Sequence, residues 1–232
     1  MNARDRLVVA LDVATPADAS ALVDRLAGLV GMFKVGSQLF TATGPDFVRS
    51  LVGRGEKVFL DLKYHDIPNT VAGAVSAACQ LGVSLVDVHA LGGKTMMEAA
   101  VGAMPAMGTR LLAITVLTSH DAASLAELGL AADTAAEVRR LALLAHAAAV
   151  DGVVASPQEV PLIRDACGGD FLVVTPGIRP EGARVGDQAR AATPAAALKA
   201  GANLLVVGRP ITEASDPAAA ARAILREMEG AG

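Results

Sequence analysis

The sequence predicts an α/β protein folded as a (β/α)8 barrel of the TIM type, one domain spanning residues 1–232. Two observations carry that expectation. Eight short runs of β-branched and other apolar residues recur along the chain, and most gaps between them hold helix signals. The runs are continuous rather than alternating, as parallel strands covered on both faces by helices should be.

In order, the runs lie at 7–12, 33–36, 58–63, 85–89, 111–117, 152–155, 171–175 and 204–208. After the first, Thr15 stands as an N-cap before Pro16, and Leu22, Leu26 and Leu29 make an apolar stripe. Thr193-Pro194 and Asp216-Pro217 repeat that start signal, while Gly82, Gly201 and Gly230 read as helix stops. The rival architecture is an open, doubly wound sheet. Its dinucleotide-binding form needs a glycine fingerprint in the first turn, where this chain has Asp12-Val13-Ala14-Thr15-Pro16. The irregular stretch 179–193 is long for a compact domain, and reads either as a lid or as a plain surface loop.

Composition narrows the function. A 53% apolar content with 19% charged residues indicates a large core, built mostly from Ala and Val because aromatics supply only 3%. A formal charge of −4 disfavours a nucleic-acid or membrane-surface binder, so an anionic ligand must be held by a local cluster. Cys79 and Cys167 lack CxxC spacing and read as buried free thiols, not a disulfide or a metal site. Residues 1–6 lead straight into a strand rather than a signal peptide, and no apolar run approaches the roughly 20 residues that span a bilayer. The expectation is a cytoplasmic protein.

Active sites of such barrels lie at the C-terminal ends of the strands. Asp12, Lys34, Asp61, Lys63, Asp87 and His89 stand at the first four ends, Thr118 and Ser119 at the fifth, and Arg179 and Arg209 beyond the last two. The densest segment is Asp61-Leu62-Lys63-Tyr64-His65-Asp66-Ile67-Pro68-Asn69-Thr70. In a regular strand Asp61 and Lys63 share a face about 6–7 Å apart, and opposite charges on a buried strand carry a desolvation cost unless paired or used. With Lys34 and Asp66 they form a mutually compensating array. Blander readings stand beside this one. Asp12 or Lys34 alone reads as a structural ion pair, His89 as a hydrogen-bonded strand cap, and Asp87, on the face of His89, fits either role. His65 is expected to face solvent or a neighbouring subunit. No Ser/His triad and no metal-ligand spacing is discernible. Gly177 and Gly208 let backbone N–H groups approach a ligand, and the forks of Arg179 and Arg209 suit a phosphate, with Gln188 placed to close over it.

The decapeptide 61–70 resembles the D-x-K-x-x-D-I-P-N-T signature of the orotidine 5′-monophosphate decarboxylase family. Leu11-Asp12, Phe33-Lys34-Val35-Gly36, Val116-Leu117-Thr118-Ser119, Thr175-Pro176-Gly177-Ile178-Arg179 and Val207-Gly208-Arg209-Pro210-Ile211 fit the same family in order. The resemblance implies a cofactor-free, metal-free enzyme that converts orotidine 5′-monophosphate to uridine 5′-monophosphate and carbon dioxide, ending de novo pyrimidine synthesis. It implies that Lys63 protonates C6, that Asp61 lies beside the scissile carboxylate, and that Lys34 and Asp66 complete the array. It places Asp12 and Lys34 on the ribose, Thr118 and Ser119 on the pyrimidine edge, and Gln188, Gly208 and Arg209 on the phosphate, framed by Arg179. It further implies a homodimer in which Asp66, Ile67 and Thr70 enter the neighbouring site. Two rivals remain: a metal-dependent decarboxylase or aldolase acting on a sugar phosphate, and a barrel that only binds a nucleotide.

Overall fold

A computed structural model describes residues 2–106, 108–180 and 192–230. Each expected run forms a strand: β1 (Leu7–Ala10), β2 (Met32–Gly36), β3 (Val58–Tyr64), β4 (Leu85–His89), β5 (Arg110–Ile114), β6 (Gly152–Val154), β7 (Leu172–Thr175) and β8 (Leu204–Val207). All neighbours pair in parallel. β1 returns to β8 through Leu7, Val8 and Val9 against Leu205, Val206 and Val207, which closes the barrel and excludes the open sheet.

Helices cover the outside. A short α1 (Ala3–Arg6) precedes β1. Then come α2 (Pro16–Leu26), α3 (Ser37–Thr43), α4 (Pro45–Gly53), α5 (Pro68–Gln80), α6 (Gly93–Gly102), α7 (Ala122–Glu127), α8 (Thr134–Ala147), α9 (Val160–Cys167), α10 (Pro194–Lys199), α11 (Arg209–Thr212) and α12 (Pro217–Glu229). The start signals act as read. Thr15 accepts the Asp18 N–H, Thr193 that of Ala196, and Asp216 those of Ala218 and Ala219, each cap contributing about 1 kcal/mol. Gly82 (φ 78°) and Gly201 (φ 104°) take the left-handed conformation that ends a helix. Gly230 stays right-handed at φ −71°, so glycine is not required there.

Two apolar layers follow from strand alternation. Outward residues such as Val9, Val35, Leu60, Val86, Leu111 and Val207 pack under the helices. Inward residues Val8, Ala10, Met32, Phe59, Leu85, Leu112, Leu172, Val174, Leu204 and Val206 fill the lumen. Two strands end two or more residues before the expected runs do. β1 stops at Ala10 and β5 at Ile114, so Asp12, Thr118 and Ser119 sit on loops, where the ladder has run out of partners.

β3 departs most from expectation. Leu60 pairs with Val86 but Tyr64 pairs with Val88, so four steps along β3 match two along β4. Inside this bulge Lys63 takes φ 54°, a left-handed conformation uncommon for a residue with a Cβ. The regular alternation expected to put Asp61 and Lys63 on one face therefore fails beyond Asp61. Cys79 and Cys167 are free and half-buried rather than buried. Among the described residues no helix is long and apolar enough to cross a membrane.

Candidate active site

The lumen turns from apolar to charged one step above its fill. Two residues beyond Met32, Phe59 and Leu85 on the same inward face stand Lys34, Asp61 and Asp87. All three are buried. The barrel wall therefore holds these charges in a low-dielectric mouth instead of letting water screen them.

Asp61 is the centre of the cluster. Its Oδ2 lies 3.1 Å from Lys34 Nζ, its Oδ1 accepts a hydrogen bond from Lys63 Nζ, and Lys34 Nζ reaches Asp12 Oδ1 at 3.1 Å. Asp12 and Lys34 thus belong to one chain of alternating charges, not to an isolated ion pair. Burial alone would favour the neutral form of Asp61. The positive charge of Lys34, with the charge and hydrogen bond of Lys63, outweighs burial and holds the carboxyl well below the usual carboxylate range. Burial likewise opposes charge on Lys34, but Asp61 and Asp12 more than compensate and push its pKa up. The bulge keeps Lys63 on Asp61 despite the lost alternation, and the Lys63 main-chain N–H donates to Asp87 Oδ1 at 2.7 Å.

Asp12, Lys34, Asp61 and Lys63 line one part of a cavity of about 440 Å³, within the range of small-ligand pockets. Ile114, Val116, Val154 and Val206 give it apolar walls, and Thr118 adds a hydroxyl. Gly177, Arg179, Gly208 and Arg209 line the part built by β7 and β8. β7 stands four places from β3 around the closed barrel in either direction, so Arg179 faces the charged cluster from across the mouth. Gly177 has φ 77°, a conformation that disfavours any side chain. Arg179 is anchored by its N–H to the Ala192 carbonyl and by its guanidinium to the Ile178 carbonyl, both at 2.9 Å. Burial and the like charge of Arg209 weaken its hold on its proton, and Glu213 offsets them.

Several expectations find a different place. Ser119 is exposed and is not a wall of the cavity. Asp66, Ile67 and Thr70 are also exposed and do not line the cavity of their own chain. Asp66 accepts the Ile67 N–H at 2.6 Å, and Ile67 is 67% exposed. Gln188 and most of the 179–193 stretch lie outside the described residues. His89 is not a hydrogen-bonded cap: its Nδ1 is buried with no partner among the described residues, and its ring lies 5.6 Å from that of exposed His65. Burial, then His65, Lys63 and His120, push the His89 pKa down to about 4, so the ring is neutral at pH 7. Sequence reasoning missed Glu213, a cavity wall just past α11. Its only signal was a position four residues beyond Arg209, after the last strand end considered. Among the described residues no three His, Cys, Asp or Glu side chains are grouped to hold a metal ion.

A family model described as Orotidine 5′-phosphate decarboxylase / HUMPS family matches residues 5–224. The chain belongs to that family. Members of the orotidine 5′-phosphate decarboxylase family resemble it end to end. The one from Halorhodospira halophila is 58% identical over 229 residues, covering 98% of this chain and 97% of its own. The one from Moorella thermoacetica is 53% identical over 237 residues, covering 99% and 94%. The crystal structure of orotidine 5′-phosphate decarboxylase from Lactobacillus acidophilus superposes with a TM-score of 0.84 at 40% identity, covering 96% and 98% of the two chains. Family and barrel are thus shown independently.

Proposed function

We propose that this chain decarboxylates orotidine 5′-monophosphate to uridine 5′-monophosphate and carbon dioxide in pyrimidine biosynthesis, without a cofactor, and that Lys63 delivers the proton to C6. The observation that carries this reading is the Lys34–Asp61–Lys63 array, with Lys34 and Asp61 buried and Lys63 half-buried, facing Arg179 across one cavity. The relatives named above bear the same activity in their names.

Loss of carbon dioxide from C6 leaves an electron pair in an sp² orbital that the pyrimidine π system cannot delocalise. Fixed positive charge must meet it where it develops. Lys63 is a cation on the cavity wall with a proton to give, and its ammonium is already oriented by Asp61 before substrate arrives. Protonation of C6 by Lys63 Nζ balances the departure of carbon dioxide. Lys34 keeps Asp61 anionic, and Asp12 with Lys34 meets the ribose hydroxyls. Thr118 faces the pyrimidine edge, and Arg179, Gly208 and Arg209 take the phosphate. Phosphate binding there lies away from C6, so its energy serves to press the reacting ring into the array.

The exposed segment of Asp66, Ile67 and Thr70 fits a homodimer in which it completes the neighbouring site. An uncovered Ile67 beside the mouth supports that placement. The test is turnover by purified protein, followed by loss of orotidine monophosphate absorbance with carbon dioxide release, with and without a chelator. Chelator-insensitive turnover is expected. No turnover by folded protein overturns the activity, and loss of turnover on chelation overturns the metal-free mechanism.

A further inference from the structure

Asp87 has no solvent exposure, and the reaction above assigns it no part. It sits on the inward face of β4 two residues after Leu85. Its two oxygens have different surroundings. Oδ1 accepts the main-chain N–H of Lys63 at 2.7 Å. Oδ2 is buried with no hydrogen-bond partner among the described residues, and Asp61 stands on the neighbouring strand, each carboxylate following the Leu60–Val86 ladder pair on the inward face. The groups that face Asp87 from β3 are Asp61, Lys63 and Tyr64, and its ladder partner on β5 is the apolar Leu112.

Two neighbouring carboxylates inside a barrel strongly disfavour each other's charge. Asp61 has two ammonium groups to hold its charge, whereas Asp87 has a single main-chain N–H and part of the Lys63 charge. The proton therefore belongs on Asp87, and on Oδ2 it turns an orphaned acceptor into a donor. Burial and the charge of Asp61 both drive the Asp87 pKa well above the usual carboxylate value, which agrees with the geometry.

We propose that Asp87 is a protonated positioning residue, whose Oδ1 pins the left-handed main chain of Lys63 while its Oδ2–H donates to Asp61. It touches no substrate. Its effect is to hold the lysine and the carboxylate of the array in register, since the bulge in β3 leaves Lys63 without the ladder bonds that fix a regular strand. The inference rests on the reading of Lys63 as the proton donor.

Asp87→Asn and Asp87→Ala separate the possibilities. An asparagine carbonyl still accepts from Lys63 and its amide N–H still donates to Asp61, so Asp87→Asn is expected to keep kcat within about threefold of wild type. Asp87→Ala removes both bonds, and kcat is expected to fall about a hundredfold with the affinity for uridine monophosphate nearly unchanged, because a misplaced reacting group costs rate rather than binding. In the resting wild-type protein at neutral pH, infrared difference spectroscopy against Asp87→Asn should show the carbonyl stretch of one carboxylic acid. Equal damage in both variants, full activity in Asp87→Ala, or no acid band overturns the proposal. If Asp87→Ala does not fold, the acid band and the Asp87→Asn rate decide alone. Wild-type protein without turnover defeats the decarboxylase reading instead, and the infrared result still stands or falls by itself.

Discussion

Lys34 Nζ lies 3.1 Å from Asp61 Oδ2, with the two side chains only 9% and 11% exposed. Each charge is tolerable there because the other is present. Removing one leaves the other nearly buried and partly uncompensated, which in comparable settings costs roughly 3–5 kcal/mol. Lys34→Ala is therefore expected to lower the urea-unfolding free energy by about that amount, and to reduce kcat by at least about a hundredfold through loss of a fixed charge. A variant as stable and active as wild type would show that the pair is incidental.

Arg179 and Arg209 predict a different signature. On the proposed reading each binds the substrate phosphate through its guanidinium, and a hydrogen bond to a charged group contributes about 1.5–3 kcal/mol. Arg209→Ala should lower kcat/KM by about ten- to a hundredfold. Added phosphite dianion should restore part of the activity on a truncated substrate in the wild type and not in the variant. Arg209→Lys should recover little, since a point charge cannot replace the fork.

The half-buried imidazole of His89 sets a pH response. Its pKa is about 4 in the folded protein, below its ordinary 6.5, chiefly because burial disfavours the cation. The folded state thus prefers the neutral ring. The associated stability is full above about pH 6.5 and is lost as pH falls toward 4. His89→Phe removes a ring nitrogen that has no partner, so urea midpoints of this variant should fall less between pH 6.5 and 4 than those of wild type. The Asp61 contribution in the same acid range is common to both proteins, so it cancels in the difference. Parallel curves would exclude His89 as the source.

Subunit mixing tests the exposed segment. Asp66→Ala and Lys63→Ala proteins, each inactive, are expected to regain measurable turnover when refolded together, through one shared site with both residues intact. Mixed dimers that remain inactive would place Asp66 outside the neighbouring site.

The barrel was legible because inward and outward apolar residues repeat through eight strands with Pro and Asx/Thr helix starts between them. The cluster was legible for the same reason: Lys34 and Asp61 continue the inward rows begun by Met32 and Phe59. Lys63 was identified for an incomplete reason, since its approach to Asp61 depends on a two-residue bulge against β4 rather than on alternation. That bulge is a pairing between strands, invisible in the local sequence. The same non-local contact hid the place of Asp87, and Glu213 went unnoticed because it follows a one-turn helix rather than a strand end. His89 was misread because its position names a polar residue without naming a partner.

The central claim is that Lys63 supplies the proton. It is tested most directly by single-turnover decarboxylation in Lys63→Ala, alongside titration with uridine monophosphate. The account predicts affinity within about tenfold of wild type, one lost charge-assisted contact, and no uridine monophosphate formed from orotidine monophosphate. A wild-type-like rate in that variant would contradict it.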